Sequence, residues 1–458
     1  MTRALPIILF ICGWPAAACA QGLLGTEFSQ EAAQFKQSCT SFRSLPGCGQ
    51  LLATGTPLHI TAGTIAPENG VGFGPAFVFD KNLPAWRLNL NADAVASTNE
   101  SWRAGVYLKL AKTPTKPVKV IILKQRPTQP LKASPPAPAP EFNLYVQAIS
   151  LNRLDLYGLG NETPRNSQTL FGMRETVAGG NAIFPLGSSG FALYGELNGR
   201  FVDIFAGSGN SAVPAAQQTY GMCGCLAGLS SQPGFLQAGE GLRFSRDFRS
   251  HFDLDYAAVF QEFVAPSDTI YSFRRLNLDF SHTIWLYGRT AVMASAAQYG
   301  PDGSKEAPHR AASVRNLSGS ITLEARLAES FLAASHAVPF YFQPTLGGSD
   351  VNGQLGLPSY PDYRFRAPNL LLFHGAFEHS IWGPIGAEFT ADYGRVALTH
   401  SDLGFDHFLH SWGAGITIRA GGFPRLSLLF AWGGHEGTHT IAYISPGLLG
   451  GASRPSLF

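Results

Sequence analysis

The sequence predicts an all-β protein built as one transmembrane antiparallel β-barrel of about sixteen strands. Three observations predict it. The N-terminus has the pattern of a secretion signal, and short segments that alternate apolar with polar side chains recur along the chain. No stretch after the signal approaches the roughly 20 apolar residues that a membrane-spanning helix needs. An exported chain whose strands are apolar on one face fits a barrel in a bacterial outer membrane.

Residues 1–20 are predicted to be a signal peptide. A basic third residue precedes an apolar run at residues 5–12, and small residues then lead to an Ala-x-Ala cleavage site. The alternative is a lipid anchor on Cys19, but a lipoprotein signal usually has leucine where this chain has Ala16. Cleavage before Gln21 and export to the outer membrane are therefore expected.

The composition separates this chain from soluble globular proteins. Charged residues make up 14% of the sequence, against about 25% in soluble domains. The chain also contains 51 glycines and 33 phenylalanines, which suit turns and aromatic girdles. The alternative, a secreted array of β-sandwiches, would normally carry more surface charge. A net charge of +2 without a basic stripe predicts no nucleic-acid partner.

The alternation defines the strands and their two faces. Between Trp86 and Ala94 every second residue is apolar, the pattern repeats from Trp102 to Leu110, and residues 98–101 form a turn. Charges at mid-strand need partners or a wet lumen, and a sheet within lipid has to close because free edge amides find no water there. The charged side chains predicted to face the lumen are Arg87, Asp93, Arg103, Glu196, Arg200, Asp253, Asp255, Arg275, Asp279, Glu388 and Asp392.

Three segments do not resemble strands of the barrel, which we place at residues 57–445. Residues 21–56 are predicted to form a short periplasmic segment with a candidate disulfide between Cys39 and Cys48. Residues 113–140 are rich in proline and lysine, which favours a mobile loop over a partner-binding arm. Residues 446–458 are broken by glycine and proline and are predicted to be a C-terminal tail.

Candidate chemical sites are sparse. Cys223 and Cys225 could hold a metal ion with two further ligands, but a local disulfide explains them better. For one loop cluster the sequence leaves two interpretations, a weak cation site or solvated side chains, and we favour the second. Its members are His400, Asp402, Asp406, His407 and His410. The sequence lacks a Gly-x-Ser-x-Gly elbow, a phosphate-binding loop and a His-Glu-x-x-His run. It therefore predicts no enzymatic activity, cofactor or resident metal.

Three stretches resemble a known family. Residues 154–163 read Leu-Asp-Leu-Tyr-Gly-Leu-Gly-Asn-Glu-Thr, and residues 338–350 end in Leu-Gly-Gly-Ser-Asp before Tyr-Pro-Asp-Tyr-Arg-Phe-Arg at 360–366. A weaker match covers 391–396 and 429–437. In this order the stretches resemble the bacterial surface antigen family, which consists of barrels of the BamA/TamA superfamily. The motif residues are Tyr157, Gly158, Gly160, Asn161, Gly347, Gly348, Tyr360 and Arg364.

The resemblance implies a barrel with a long loop that folds back into its lumen. The family has Arg-Gly before the tyrosine of that loop, where this chain has Pro358 and Ser359, so we expect a charge-assisted anchor to be lost. The expected function is a minimal barrel for protein assembly or translocation without periplasmic (POTRA) modules of its own. The alternative is a passive diffusion channel. Outer-membrane lipid and envelope proteins are the expected partners.

Overall fold

The computed structural model describes residues 57–113, 139–209, 212–248, 252–293, 313–382, 385–420, 423–444 and 455–457. The predictions for the signal peptide, for the segment with Cys39 and Cys48, and for most of residues 113–140 lie outside the described residues. The described chain is mostly β-strand, with one five-residue α-helix, α1 (Ala216–Tyr220), and three single-turn 3₁₀ helices. No helix in the described part of the chain is long and apolar enough to cross a membrane.

The described residues form one antiparallel sheet of sixteen strands in consecutive order, which confirms the predicted fold class and strand number. A single meander of this kind is not the array of two-sheet sandwiches considered from the composition. The strands are β1 (Leu58–Thr64), β2 (Val71–Asn82), β3 (Trp86–Ser97), β4 (Trp102–Lys112), β5 (Glu141–Leu156), β6 (Thr169–Pro185), β7 (Phe191–Ala206), β8 (Phe235–Asp247), β9 (Phe252–Val264), β10 (Phe273–Met293), β11 (Ser313–Phe331), β14 (Asn369–Trp382), β15 (Ile385–Ala397), β16 (Leu409–Ala420), β17 (Phe423–Trp432) and β18 (Thr438–Ile444).

Two further strands stand apart from the large sheet. These are β12 (Thr345–Leu346) and β13 (Phe365–Arg366), which pair with each other inside the connection between β11 and β14. We call this connection, residues 332–368, the inner loop. Because neighbouring strands are antiparallel, successive connections alternate between the two ends of the sheet. The inner loop therefore shares one end, called the loop end, with residues 65–70, 98–101, 157–168, 207–209, 212–234, 265–272, 398–408 and 433–437.

The two faces of the sheet have inverted polarity. On β7 the apolar side chains of Leu197 and Phe201 are 57% and 61% exposed, whereas Asn198 and Arg200 are each 1% exposed. Apolar side chains with comparable exposure recur on the same face from Val106 of β4 to Phe430 of β17. A protein in water buries its apolar face, so this arrangement suits a sheet whose outer surface meets lipid.

The edges of the sheet differ from the prediction of a closed barrel. Among the described residues, no residue of β1 pairs with β18, so the sheet curls but is not closed. Both edge strands have seven residues, fewer than any other strand of the sheet, so each offers little backbone for a ladder. Contacts of the inner loop in the interior connect the two edge regions instead.

The apolar core lies inside the curled sheet rather than between layers. Aromatic residues of the inner loop form its centre, with Phe340, Tyr341 and Phe342 each at most 1% exposed. The ring of Phe340 lies 5.0 Å from that of Phe171 on β6, and the ring of Phe342 lies 4.9 Å from that of Phe235 on β8. The inner loop is therefore packed against the wall from several sides.

Candidate functional site

The inner loop reverses direction at the Leu-Gly-Gly motif. Gly347 and Gly348 have φ angles of 107° and 56°, which L-residues with a side chain rarely adopt. A Cβ atom on Gly347 would lie 2.5 Å from Cβ of Arg364, and one on Gly348 would lie 2.2 Å from Oδ1 of Asp362. Glycine at both positions lets the two arms of the loop approach closely, so that β12 pairs with β13 and Arg364 is held in place.

Arg364 anchors the inner loop to the loop end of the sheet. Its side chain is 1% exposed, and its Nε and Nη2 donate to the carboxylate of Glu436 at 2.6 to 3.0 Å. Its Nη1 and Nη2 also donate to the hydroxyl and carbonyl oxygens of Thr163, at 2.8 and 2.5 Å. The guanidinium lies 4.7 Å from the ring centre of Tyr157 and 4.6 Å from that of Phe365. A bidentate, stacked arginine of this kind is a strong and directional anchor.

The turn at Tyr157 to Asn161 supplies the second half of this anchor. Gly160 has a φ of 102°, and its backbone N–H donates to the carbonyl of Arg366 at 2.8 Å. The Asn161 Oδ1 accepts from the backbone N–H of Val396 on β15 at 2.9 Å. The motif residues of the sequence, which lie as much as 200 residues apart, are thus assembled around one junction between the inner loop and the wall.

Pro358 and Ser359 carry no charge, so the expected charge-assisted contact is missing at these two positions, but other groups hold the inner loop against the wall. The backbone N–H of Ser359 donates to the Oγ of Ser411 on β16 at 2.8 Å, so this part of the loop still lies against the wall. Tyr360 is fully buried, with its ring 5.1 Å from that of Phe365. The charged contact is made by Arg364, a few residues further along the loop. The motif pattern alone therefore did not predict that Arg364 would contact the acidic residue Glu436.

Adjacent residues of the inner loop reach the two edge regions of the sheet. The hydroxyl of Tyr363 donates to the carbonyl of Pro67, just beyond β1, at 2.9 Å. Arg364 binds Glu436, which lies just before β18. The inner loop therefore connects the beginning and the end of the meander, although their strands do not pair.

Two buried ionisable groups of the inner loop have shifted pKa values. Burial raises the pKa of Asp362 to about 7, although its Oδ1 accepts from the backbone N–H of Ser349. Burial also lowers the pKa of Arg366 to about 10; its Nη1 donates to the carbonyl of Phe340 at 2.8 Å. Both shifts reflect the exclusion of water from the junction.

The structure places the charged residues predicted for the lumen on the polar face of the sheet. In the centre, Arg200 donates from Nη1 to Glu175 at 2.6 Å and from Nε to Gln237 at 2.5 Å. Glu196 accepts from Gln237 and Gln261 at 3.0 and 2.6 Å. Arg275 is 3% exposed, and its Nη2 donates to the carbonyl of Phe342 at 2.7 Å.

The remaining predicted residues lie around this centre. Arg103 pairs with Asp93 at 3.3 Å, Arg326 with Asp279 at 3.4 Å, and Oδ1 of Asp392 lies 2.7 Å from Nδ1 of His374. The indole of Trp285 donates to Asp253 at 2.7 Å. Because side chains alternate along a strand, Glu388 lies on the same face of β15 as Asp392. For the same reason, Asp255 lies on the same face of β9 as Asp253. Arg87, 61% exposed, pairs loosely with Asp80 near the other end.

Between these groups lies a cavity of about 710 Å³. Its wall carries charges of both signs, and the inner loop and the C-terminal segment form its floor. The charged side chains that line it are Arg103, Glu196, Arg243, Arg275, Asp279, Arg326 and Asp350.

Several functional partners were not identified from the sequence. Thr163 and Glu436 lay at the margins of the matched stretches, without an assigned role. Glu175 lies between Arg174 and Thr176 and shares its face with Phe171, Met173 and Val177, so the alternation gave no signal for it. Contact between residues so far apart in sequence has no local signature.

The cysteine and histidine candidates take ordinary structural roles. Cys223 and Cys225 form a disulfide in the connection after α1. In the loop cluster, Nδ1 of His400 lies 2.6 Å from Glu329, and Asp406 lies 3.2 Å from Arg395. Within the described ranges, no group of three or more histidine, cysteine or acidic side chains could hold a metal ion.

Comparison with known proteins gives matches among solved structures. No protein-family model matches the chain, and no curated protein matches it. A structure of BamA from Haemophilus ducreyi lacking POTRA domains 1–3 matches at a TM-score of 0.47 and 10% identity, over 87% of this chain and 78% of that one. CdiB from Acinetobacter baumannii matches at 0.45 and 10%, over 82% and 58%.

A third match is CdiB from Escherichia coli, at a TM-score of 0.43 and 11% identity, over 86% of this chain and 60% of that one. The chain thus spans about three fifths of the length of both CdiB structures. At 10–11% identity, these three similarities concern the fold alone.

Proposed function

We propose that this chain is an outer-membrane barrel of the surface antigen type that assists the assembly or translocation of other polypeptides. The observation that carries the proposal is the anchored inner loop. Arg364, Glu436 and Thr163 hold it inside the curled sheet, and the three sequence motifs of the family meet at that junction. Because the inner loop is buried in the interior and held by a buried ion pair, its position is a fixed part of the structure rather than that of a loose connection.

The outer-membrane location is supported by the inverted polarity of the sheet. Exposed apolar side chains surround the outside, and ionic side chains occupy the inside. The predicted signal peptide provides the export route. Lipid is therefore a partner of the outer face, and envelope proteins are the proposed partners of the interior and of the sheet edges.

The filled interior favours assembly or translocation over passive diffusion. The inner loop brings three fully buried aromatic residues, 340–342, into the lumen at the loop end. A diffusion channel needs a continuous wet path, and the cavity of about 710 Å³ has the size of an ordinary ligand pocket. We also propose no enzymatic activity, which assays of lipid and ester hydrolysis by the purified protein would test.

Deletion of the gene in its own host tests the proposed function. Loss of outer-membrane proteins, or of one exported client, should follow and be restored by the wild-type protein. An Arg364→Ala variant should restore it poorly because Glu436 loses its partner, whereas Arg364→Lys should restore it in part. Unchanged outer-membrane and secreted protein levels in the deletion strain would refute the assembly role.

Planar-bilayer recordings of the purified protein separate the two functions. The assembly barrel should be closed for most of the recording, with brief openings that become more frequent in Arg364→Ala. A steady conductance at low voltage that is insensitive to Arg364 would instead indicate a diffusion channel. A change of migration on heating in detergent gels is the control that shows that each variant is folded.

A further inference from the structure

The segment Pro455, Ser456 and Leu457 lies inside the curled sheet, next to the cavity. The Nη2 of Arg200 donates to the backbone carbonyl of Ser456 at 2.9 Å. The backbone N–H of Leu457 donates to Oδ1 of Asn352, in the inner loop, at 2.8 Å. The Leu457 side chain is 5% exposed and belongs to the apolar cluster of the inner loop. The segment is therefore bound at three points.

Of the groups that bind it, Arg200 is fixed in advance by the wall. Arg200 is 1% exposed and is oriented by Glu175, which is fully buried, and by Gln237. A donor held this way costs little additional ordering when it binds a carbonyl. The site is thus preorganised on strands β6, β7 and β8, and it does not depend on the tail for its geometry.

The two polar contacts recognise main chain rather than side chain. One is made to a carbonyl and the other to an N–H, groups that every peptide unit offers except at proline. The Leu457 side chain adds an apolar contact after the bound carbonyl. The cavity continues beside the segment, with Arg275, Glu196 and Asp279 on its wall, so there is room for further residues of an extended chain.

We infer that Arg200 of the wall, together with Asn352 and the apolar cluster of the inner loop, forms a binding site for an extended polypeptide segment, and that residues 455–457 occupy it as an internal ligand that closes the lumen. The inference goes beyond the proposed function, and it rests on that function in one respect: the ligand that displaces the tail is a client polypeptide. The binding site itself stands on the contacts above.

Single-channel recordings of the full-length protein test the site. Asn352→Ala removes one hydrogen bond to the tail and should raise the open probability about fivefold. Leu457→Asp places a charge in the apolar cluster and should raise it about tenfold or more. Gln354→Ala is the matched control, since it lines the same cavity and the described residues include no contact between it and the tail; it should leave the open probability unchanged.

A peptide added in trans provides the second measurement. A synthetic peptide with the sequence of residues 451–458 should close the Leu457→Asp channel in a concentration-dependent way, and a scrambled peptide should not. If Asn352→Ala and Leu457→Asp both gate like the wild type, or if the peptide has no effect on the folded variant, the inference is overturned. An assembly defect in the deletion strain would still stand in that case, so the two proposals fail separately.

Discussion

Two ion pairs on neighbouring residues show how the faces of this sheet differ. Arg174 and Glu175 are adjacent on β6, point to opposite faces and each pair with β7. Arg174 lies 3.5 Å from Asp203, and both side chains are more than half exposed. Glu175 lies 2.6 Å from Arg200, and neither side chain is more than 1% exposed. The same chemistry therefore occurs once at the surface and once in the interior.

The comparison shows that the burial of an ion pair, rather than the identity of its two residues, determines how much the pair contributes to stability. An exposed pair gains little because water screens it, whereas removal of one member of a buried pair leaves a charge without compensation. In this protein the buried pair also orients the guanidinium that binds the C-terminal segment. The interior pair is part of a binding site, and the outer one is a surface contact.

The largest effect is expected from the interior pair. Glu175→Ala should lower the free energy of unfolding by about 3–5 kcal/mol, because Arg200 stays buried without its carboxylate. Denaturant titration of the barrel refolded in lipid vesicles measures it. The double variant Glu175→Leu with Arg200→Met should recover most of the loss, since neither charge remains. A loss below about 1 kcal/mol in the single variant would show that the interior is wetter than the structure indicates.

The outer face gives the next largest effect. Leu197→Arg replaces an apolar side chain that is 57% exposed on β7, and should cost about 2–4 kcal/mol if that face meets the hydrocarbon. Leu197→Ala is the control for lost packing. The same titration in lipid vesicles reports both variants. Equal stability of the arginine and alanine variants would mean that the outer face meets water, and it would contradict the proposed difference between the two faces.

The inner loop adds a pH dependence of intermediate size. The pKa of Asp362 is raised to about 7 in the folded state, so the folded protein binds this proton more tightly than the unfolded chain does. The stability that this site contributes is complete below the ordinary aspartate pKa and is lost as the pH rises through 7. About 2 kcal/mol should be lost between pH 5.5 and 7.5. In Asp362→Asn this loss should vanish; an identical pH profile in the variant would assign it to another group.

The smallest effect is expected from the outer ion pair. Arg174→Ala should change the free energy of unfolding by less than about 1 kcal/mol, because both side chains of this pair are more than half exposed and lie near the loop end of β6 and β7, away from the middle of the outer face. High salt should remove what difference there is. A loss comparable with that of Glu175→Ala would show that exposure does not distinguish the two pairs.

The strands themselves were predictable from the sequence because a strand places every second side chain on the same face. Trp86 and Trp102 begin strands in the structure as the alternation predicted, and residues 98–101 form the turn between them. The same period predicted about fourteen to sixteen strands, and we chose sixteen because single-chain barrels of this kind have an even number. The glycines of the Leu-Gly-Gly motif could be recognised in the sequence. Why glycine is needed there could not, because it depends on the close approach of Asp362 and Arg364 from the other arm of the loop.

The sequence by itself thus determined the strand pattern, the inverted polarity of the sheet and the presence of a motif-bearing loop, because these follow from local periodicity and backbone preference. The tertiary structure alone decided that Arg364 meets Glu436, that Arg200 meets both Glu175 and the C-terminal segment, and that within the described ranges the two edge strands do not pair with each other. Such contacts join residues that are dozens to hundreds of positions apart. Their energies depend on burial and distance in space, which the order of residues along the chain does not encode.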